Sequence, residues 1–229
     1  MCIRDSMGLL YHTIDLERRF DGIGPHTISF PRLEPALNAP LSTNSPYKVS
    51  DEDFLKALTV IRLSIPYTGM IITAREPAHI RREALMNHGC TQTDASSRIG
   101  IGAYSEQTEQ QDAVRQQFLL SDTRSLDDVT REIASMGLLV SFCTAGYRCG
   151  RTGACFMSLA KSGKERLFCV LNALITFKEY LLDYASAQTR ELGERLIKHH
   201  IEHSVPENLR AMIQKRLEET ENGKRDIRF

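Results

Sequence analysis

The chain reads as α/β: one helix, then three strand–helix units, then a helix-rich C-terminal region. Three observations predict this. Short β-prone runs alternate with amphipathic stretches of about ten residues or more, an alternation that means a parallel sheet or an α/β barrel. Polar residues stand directly after each strand run. After residue 138 the alternation gives way to apolar residues at helical spacing.

The opening "MCIRDS" shares no pattern with the residues after it, so residues 1–6 are read as a non-native scar and kept out of the fold. From Met7 to Phe20, Leu9, Leu10, Ile14, Leu16 and Phe20 alternate with Asp15, Glu17, Arg18 and Arg19, which predicts a helix stopped at Gly22 and Gly24. "HTISFPRL" is a short strand ended by Pro31, and a Pro- and Asn-rich loop comes next. Ser50 then caps a helix with Phe54, Leu58, Ile61 and Ile65 on one stripe. "GMIITARE" is a buried strand; Pro77 starts the next helix and Gly89 ends it. "CTQTDASS" is a third strand. After a long polar loop, Ser125 caps a helix with Leu126, Val129, Ile133 and Met136 as its stripe and Gly137 as its stop.

Beyond this point "LLVSF" is expected to be one more short strand. Next come a cysteine-bearing loop, a short helix ending near Gly163 and a long helix from about Asn172. The long helix buries Phe177, Leu181, Tyr184 and Leu192 and is broken by Pro206 ahead of a last helix in "ENLRAMIQKRLEETENG". Three units do not close an eight-unit barrel of roughly 250 residues, so the sequence is expected to be the C-terminal part of a larger protein. An unclosed barrel is also expected to leave the apolar side of "HTISF" in solvent.

Lys plus Arg and Asp plus Glu are 29 each, a balance that argues against a nucleic-acid footprint or a basic membrane surface. No apolar run approaches the roughly 20 residues of a membrane span, and the N-terminus lacks the apolar core of a signal peptide. The expectation is a cytoplasmic protein, in which six cysteines are metal, redox or buried thiols rather than disulfides.

Arg32 follows "ISFP", Arg75 and Glu76 follow "IITA", and Asp94, Ser96 and Ser97 follow "TQT". Barrel enzymes place their sites at the C-terminal ends of strands. Three such ends in succession point to an anionic or zwitterionic small molecule. Arg75 is the first candidate for binding a carboxylate bidentately and Arg32 the second, with Ser29 and Ser97 beside them. The plainer alternative is that Arg75 pairs structurally with Glu76 or Glu83.

Cys143, Cys149, Cys155 and Cys169 have the spacing C-x5-C-x5-C-x13-C, which fits no paired zinc pattern. The loop "CTAGYRCGRTG" suits an iron–sulfur cluster better: its glycines allow close backbone approach, and Arg148 and Arg151 offset thiolate charge. The alternative is packed thiols beside short helices. "KHHIEH" puts His199 and His203 at i and i+4, the spacing of a helical metal pair, although histidines near the end of a charged helix are ordinarily solvated. "GRTG" lacks the lysine of a phosphate loop and is set aside.

The segments "PHTISFPRLEPA", "DASSRIGIGAY" and "SFCTAGYRCGRTG", with the downstream "NALITFKEYLLDYA", together resemble the HydG family, the radical S-adenosylmethionine tyrosine lyases of [FeFe]-hydrogenase maturation. The resemblance runs from about Gly8 to Ser186. More distantly the chain is similar to ThiH, the 2-iminoacetate synthase of thiazole biosynthesis, which shares the biotin and thiamin synthesis-associated region but not the cysteine appendage.

The resemblance implies a (βα)8 TIM-type barrel, with residues 7–138 its C-terminal part and 139–229 a helical domain carrying the cysteine loop. It implies a [4Fe–4S] cluster that cleaves S-adenosylmethionine, tyrosine as substrate, p-cresol and dehydroglycine as products, and hydrogenase-maturation partners. It also implies a second cluster that turns dehydroglycine into iron-bound CO and cyanide. The sequence departs from the family pattern in two respects. The C-x3-C-x2-C motif of the radical-generating cluster is absent from this sequence, so the chain alone is expected to be inactive. The appendage pattern C-x2-C-x22-C falls on Cys143, Gly146 and Cys169, so the middle thiolate is lost and Cys149 is the candidate substitute. His12, in "LLYHTIDLE", is the candidate for the extra iron, with Asp15 where the family pattern has a second histidine. A non-catalytic iron–sulfur or scaffold module is the remaining alternative.

Overall fold

The computed structural model describes residues 3–105, 111, 114, 116–143 and 152–228. The chain divides into two compact units, Met1–Arg124 and Ser125–Phe229.

The first unit opens with α1 (Ile3–Arg19), which starts ahead of Met7 and runs through part of the stretch read as a scar. Three short strands come after it, β1 (Thr27–Ser29), β2 (Gly69–Ile72) and β3 (Gln92–Thr93), paired in parallel in the order β1-β2-β3. The register sets Ile28 against Met70 and Ile72 against Thr93. Between them lie α2 (Pro40–Asn44), inside the segment read as loop, α3 (Asp51–Ser64) and α4 (Ala78–Asn87). The crossovers are helical, as parallel pairing requires.

α3 begins where Ser50 accepts a hydrogen bond from the Asp53 amide, satisfying one of the orphan donors at the helix start. Its stripe is the one expected: Phe54, Leu58, Ile61 and Ile65 are at most 2% exposed. They pack with Ile28, Phe30, Met70 and Ile72 in one core. The apolar side chains of "HTISF" are therefore not left in solvent, although β1 is an edge strand of this sheet. Ile28 and Phe30 are 7% and 8% exposed, because α3 covers them and sets Phe54 edge-on to Phe30 at 6.4 Å. Exposed apolar residues lie elsewhere, on α1 (Met7, Tyr11, Ile14) and in the loop holding Leu33 and Leu37.

The second unit is helical: α5 (Leu126–Ser135), α6 (Gly153–Ser162), α7 (Glu165–Asp183), α8 (Ala187–His203) and α9 (Glu207–Glu221). α5, grouped with the strand–helix units in the sequence reading, falls in this compact unit. Ser125 caps it as expected. Its buried face is Val129, Thr130 and Ala134, whereas Leu126 is exposed. "LLVSF" forms no strand; Leu139, Val140 and Phe142 instead lie against the helical core, and Phe142 stacks on Tyr180 at 5.0 Å.

The long helix expected from Asn172 is two helices, α7 and α8, broken at Tyr184, which is 78% exposed. Ser186 restarts the chain by capping the Thr189 amide. Phe177 and Leu181 are fully buried as expected, and Leu192 packs against the same core. Gly193 explains how closely α7 and α8 approach: a Cβ there would lie 2.5 Å from Cδ1 of Leu181.

Candidate functional site

Parallel strands place their C-terminal ends on one edge of the sheet, and in this unit that edge is charged. Arg32 follows β1, Arg75 and Glu76 follow β2, and Asp94 follows β3. The structure ties several of these groups together.

Arg32 is committed to internal partners. Its Nε donates to both oxygens of Glu76 at 3.1 and 3.0 Å, and its Nη2 pairs with Glu76 Oε2. Nη1 donates to Asp51 Oδ1 at 2.7 Å and to the Val49 carbonyl at 3.1 Å, while the guanidinium carbon sits 4.8 Å from the Phe54 ring centroid. Burial opposes the Arg32 charge, but Glu76 and Asp51 outweigh it and raise its pKa. Glu76 is 1% exposed, so its charge must be paired to be tolerated. This pairing takes Glu76 away from Arg75, the alternative raised from sequence.

Arg75 is placed differently. Its guanidinium carbon lies over the Phe118 ring, 4.0 Å from the centroid, a cation–π distance. Glu34 feels both arginines. Burial raises its pKa, Glu76 raises it further, and Arg32 and Arg75 oppose the rise. Ser29 is exposed at the end of β1. Ser97 donates to Asp94 Oδ2 at 2.5 Å, and Asp94 Oδ1 accepts the Ala74 amide at 2.7 Å. Asp94 thus clamps the ends of β2 and β3 together, and the Ser97 hydroxyl proton is engaged in that clamp.

Below the edge lies a cluster that sequence reading missed. Arg81, 3% exposed, pairs with Asp122 Oδ2 at 2.5 Å, and Arg124 Nη2 reaches the same oxygen at 2.7 Å. Burial would raise the Asp122 pKa, but Arg124 and Arg81 prevail and hold it at about 2. The amides of Ser121 and Asp122 both bond to the Ala74 carbonyl at 3.0 Å, so this segment props the end of β2 from which Arg75 projects. The only sequence signal was an arginine on the apolar side of α4, between Ile80 and Ala84. Phe118 and Glu34 lie in stretches without periodicity and gave no signal.

The cysteines belong to the second unit. Cys143 is exposed and accepts from Ser141 Oγ at 2.9 Å. Cys155 is exposed on α6 and Cys169 is exposed on α7. Cys149 and Gly146, with Arg148 and Arg151, lie outside the described residues. Among the described residues, no three histidine, cysteine, aspartate or glutamate side chains gather as a metal site. Cys143 and Cys169 alone are fewer than the thiolates a cluster needs. His12 is exposed on α1 in the first unit, and Asp15 is bound to Arg19 at 2.8 Å. Cys90, by contrast, is buried in the first core, and that burial pushes its thiol up to about 12 against a weaker opposing pull from Arg62. No helix among the described residues is long and apolar enough to cross a membrane.

Comparison with known proteins places this geometry. Residues 29–139 match the Biotin and Thiamin Synthesis associated domain. A solved structure of HydG, a maturase of the [FeFe]-hydrogenase, superposes with a TM-score of 0.88 at 44% identity, covering 98% of this chain and 47% of that one. The FeFe-hydrogenase maturase HydG from Carboxydothermus hydrogenoformans superposes with a TM-score of 0.68 at 35% identity, covering 93% of this chain and 43% of that one. No curated protein gave a significant match. The chain spans less than half the length of these two structures. Across nearly all its own residues, from the three parallel strands to the last helix, the chain is HydG-like, matching the C-terminal part of these maturases.

Proposed function

We propose that the protein acts as a HydG-like radical S-adenosylmethionine lyase of [FeFe]-hydrogenase maturation, cleaving tyrosine to p-cresol and dehydroglycine, and that this chain supplies part of the substrate-binding edge. The observation that carries the reading is Arg75. Among the described residues it makes no hydrogen bond or ion pair with a carboxylate, yet it stands at the C-terminal end of a parallel strand with its guanidinium over Phe118. A guanidinium so held can take a carboxylate through two parallel N–H donors. Arg32, saturated by Glu76 and Asp51, serves as scaffold beside it. Asp94 keeps the ends of β2 and β3 in register, and the Arg81–Asp122–Arg124 cluster fixes the base of Arg75.

The radical in such enzymes comes from a [4Fe–4S] cluster with S-adenosylmethionine. This chain's residues do not fit that cluster, since its sequence contains no C-x3-C-x2-C motif. Nor do Cys143 and Cys169 fit a second one by themselves. What this chain does in the reaction is therefore orientation: it holds the amino-acid end of the substrate at the strand edge.

The test is Arg75→Lys in the full-length enzyme. A lysine keeps the charge but loses the planar fork, so tyrosine affinity is expected to fall by about tenfold, roughly 1.4 kcal/mol, with S-adenosylmethionine affinity and the circular-dichroism spectrum retained. Unchanged tyrosine affinity removes Arg75 from the site. The Biotin and Thiamin Synthesis associated match also favours a ThiH-type lyase feeding thiazole synthesis. Product analysis separates the two, because that reading ends at dehydroglycine and forms no iron-bound CO or cyanide.

A further inference from the structure

The "KHHIEH" stretch closes α8, and the proposed lyase chemistry uses none of its imidazoles. His199 and His203 are both exposed and stand four residues apart, so they share one face of the helix. Their rings stack with centroids 4.3 Å apart and planes within 25°. His203 Nδ1 lies 2.8 Å from the His199 carbonyl oxygen. A carbonyl only accepts, so that nitrogen carries the proton, and in the neutral ring Nε2 keeps its lone pair for a ligand; a rotation of the stacked rings about their side-chain torsions is what would aim both imidazoles at one ion. Metal-ligating histidines are arranged this way, with one ring N–H held by a backbone carbonyl and the other nitrogen turned to the ion.

His200 makes the contrast. Its Nε2 is 3.1 Å from the Gly137 carbonyl oxygen and its Nδ1 is 3.0 Å from Ser204 Oγ. Both of its nitrogens are engaged in holding the turn after α5, and it touches His199 only edge-on, at 5.7 Å.

We propose that His199 and His203 form a two-imidazole chelate on the exposed face of α8 for a late first-row divalent cation: copper, nickel or zinc. Imidazole suits these ions, and the Irving–Williams order places Cu2+ first among them. Calcium and magnesium require oxygen ligands and do not compete. Among the described residues no third histidine, cysteine or carboxylate joins the pair, so the remaining positions are taken by water. A structural zinc site closes with four protein ligands; this one holds an exchangeable ion and braces the last turn of α8.

The experiment is a Cu2+ titration of the full chain by electron paramagnetic resonance, with its thiols first alkylated because Cys143, Cys155 and Cys169 are exposed and would compete. One copper per chain is expected, with hyperfine coupling to two imidazole nitrogens. His199→Gln and His203→Gln should each weaken binding by at least about tenfold, and the double variant should lose the two-nitrogen signal. His79→Gln, at another exposed histidine on α4, should change neither. Because both ligand side chains are exposed, unchanged circular dichroism is the check that each variant is folded. Single variants that bind copper as tightly as the parent, or a two-nitrogen signal surviving the double variant, overturn the proposal.

Discussion

In the unit Met1–Arg124 the buried charges among the described residues are Glu76, Arg81 and Asp122, each at most 4% exposed and each paired with an opposite charge at or just below the strand ends. In Ser125–Phe229 the one buried charge among the described residues is Lys178, which reaches out to half-exposed Glu194 and Glu221, each at 2.6 Å. Its core is largely aliphatic and aromatic, with Leu174, Ile175, Phe177, Leu181 and Ile213 fully buried beside the neutral polar groups of Thr130, Asn172, Thr189 and Thr220. The difference separates two ways of using sequence. One unit sets charged groups to shape an edge of its sheet, where ion pairs act together with the hydrogen bonds of Asp94 and of the Ser121 and Asp122 amides. The other relies mainly on shape, and buried Asn172 and Thr220 turn their polar atoms back to their own helices.

The comparison is tested most severely at Glu76. Glu76→Ala leaves Arg32, only 15% exposed, without its main carboxylate, and breaking a buried pair from one side costs about 3–5 kcal/mol. Hydrogen exchange should show the loss concentrated in the amides of β1 and β2. A cost below about 1 kcal/mol would mean that water enters freely at Arg32 and that the edge is not held by charge.

On the shape-dependent side, Gly193→Ala gains roughly 1 kcal/mol of helix propensity, but sets a Cβ 2.5 Å from Leu181 Cδ1 and 2.6 Å from Cδ2. Overpacking of this kind costs about 1–3 kcal/mol, so a lower melting temperature is expected. A higher one would show that α7 and α8 can part without penalty.

The smallest effect is chemical. Thiol labelling of the folded chain should modify Cys143, Cys155 and Cys169 readily, and Cys90 only on unfolding, because it is buried and its thiol is held near 12. Mass spectrometry of labelled peptides reads this directly. Fast labelling of Cys90 would place local opening in the first core.

The sequence was informative where the signal is local. The stripe Phe54, Leu58, Ile61, Ile65 and the caps Ser50 and Ser125 depend on residues within a few positions of each other, and each is found as read. It failed where a partner is remote. Arg32 looked like a ligand-binding arginine because Glu76 stands 44 residues on and Asp51 stands 19. "LLVSF" has strand composition but no neighbour to pair with, so its apolar side chains went to the helical core instead. The break between α7 and α8 carries neither glycine nor proline. Of the site candidates, Arg75 and Asp94 were visible by position, whereas Phe118 and the Arg81–Asp122–Arg124 cluster become visible only through the fold.

That break depends on Asp127, in the first turn of α5. Its carboxylate accepts from the Ser186 amide at 3.1 Å, the Ser186 hydroxyl at 2.7 Å and the Thr189 hydroxyl at 2.9 Å, so it anchors the beginning of α8 from about 60 residues away. The consequence concerns the order of assembly. Docking α8 on α7 needs only a short loop, but seating its first turn waits until a span of some 60 residues has closed, an event whose entropic cost grows with the logarithm of that length. During synthesis α5 emerges first and cannot complete its own contacts until α8 has left the ribosome. The packing of α5 on α8, with the Asp127 carboxylate as its anchor, is therefore expected to complete after the local pairing of α7 with α8.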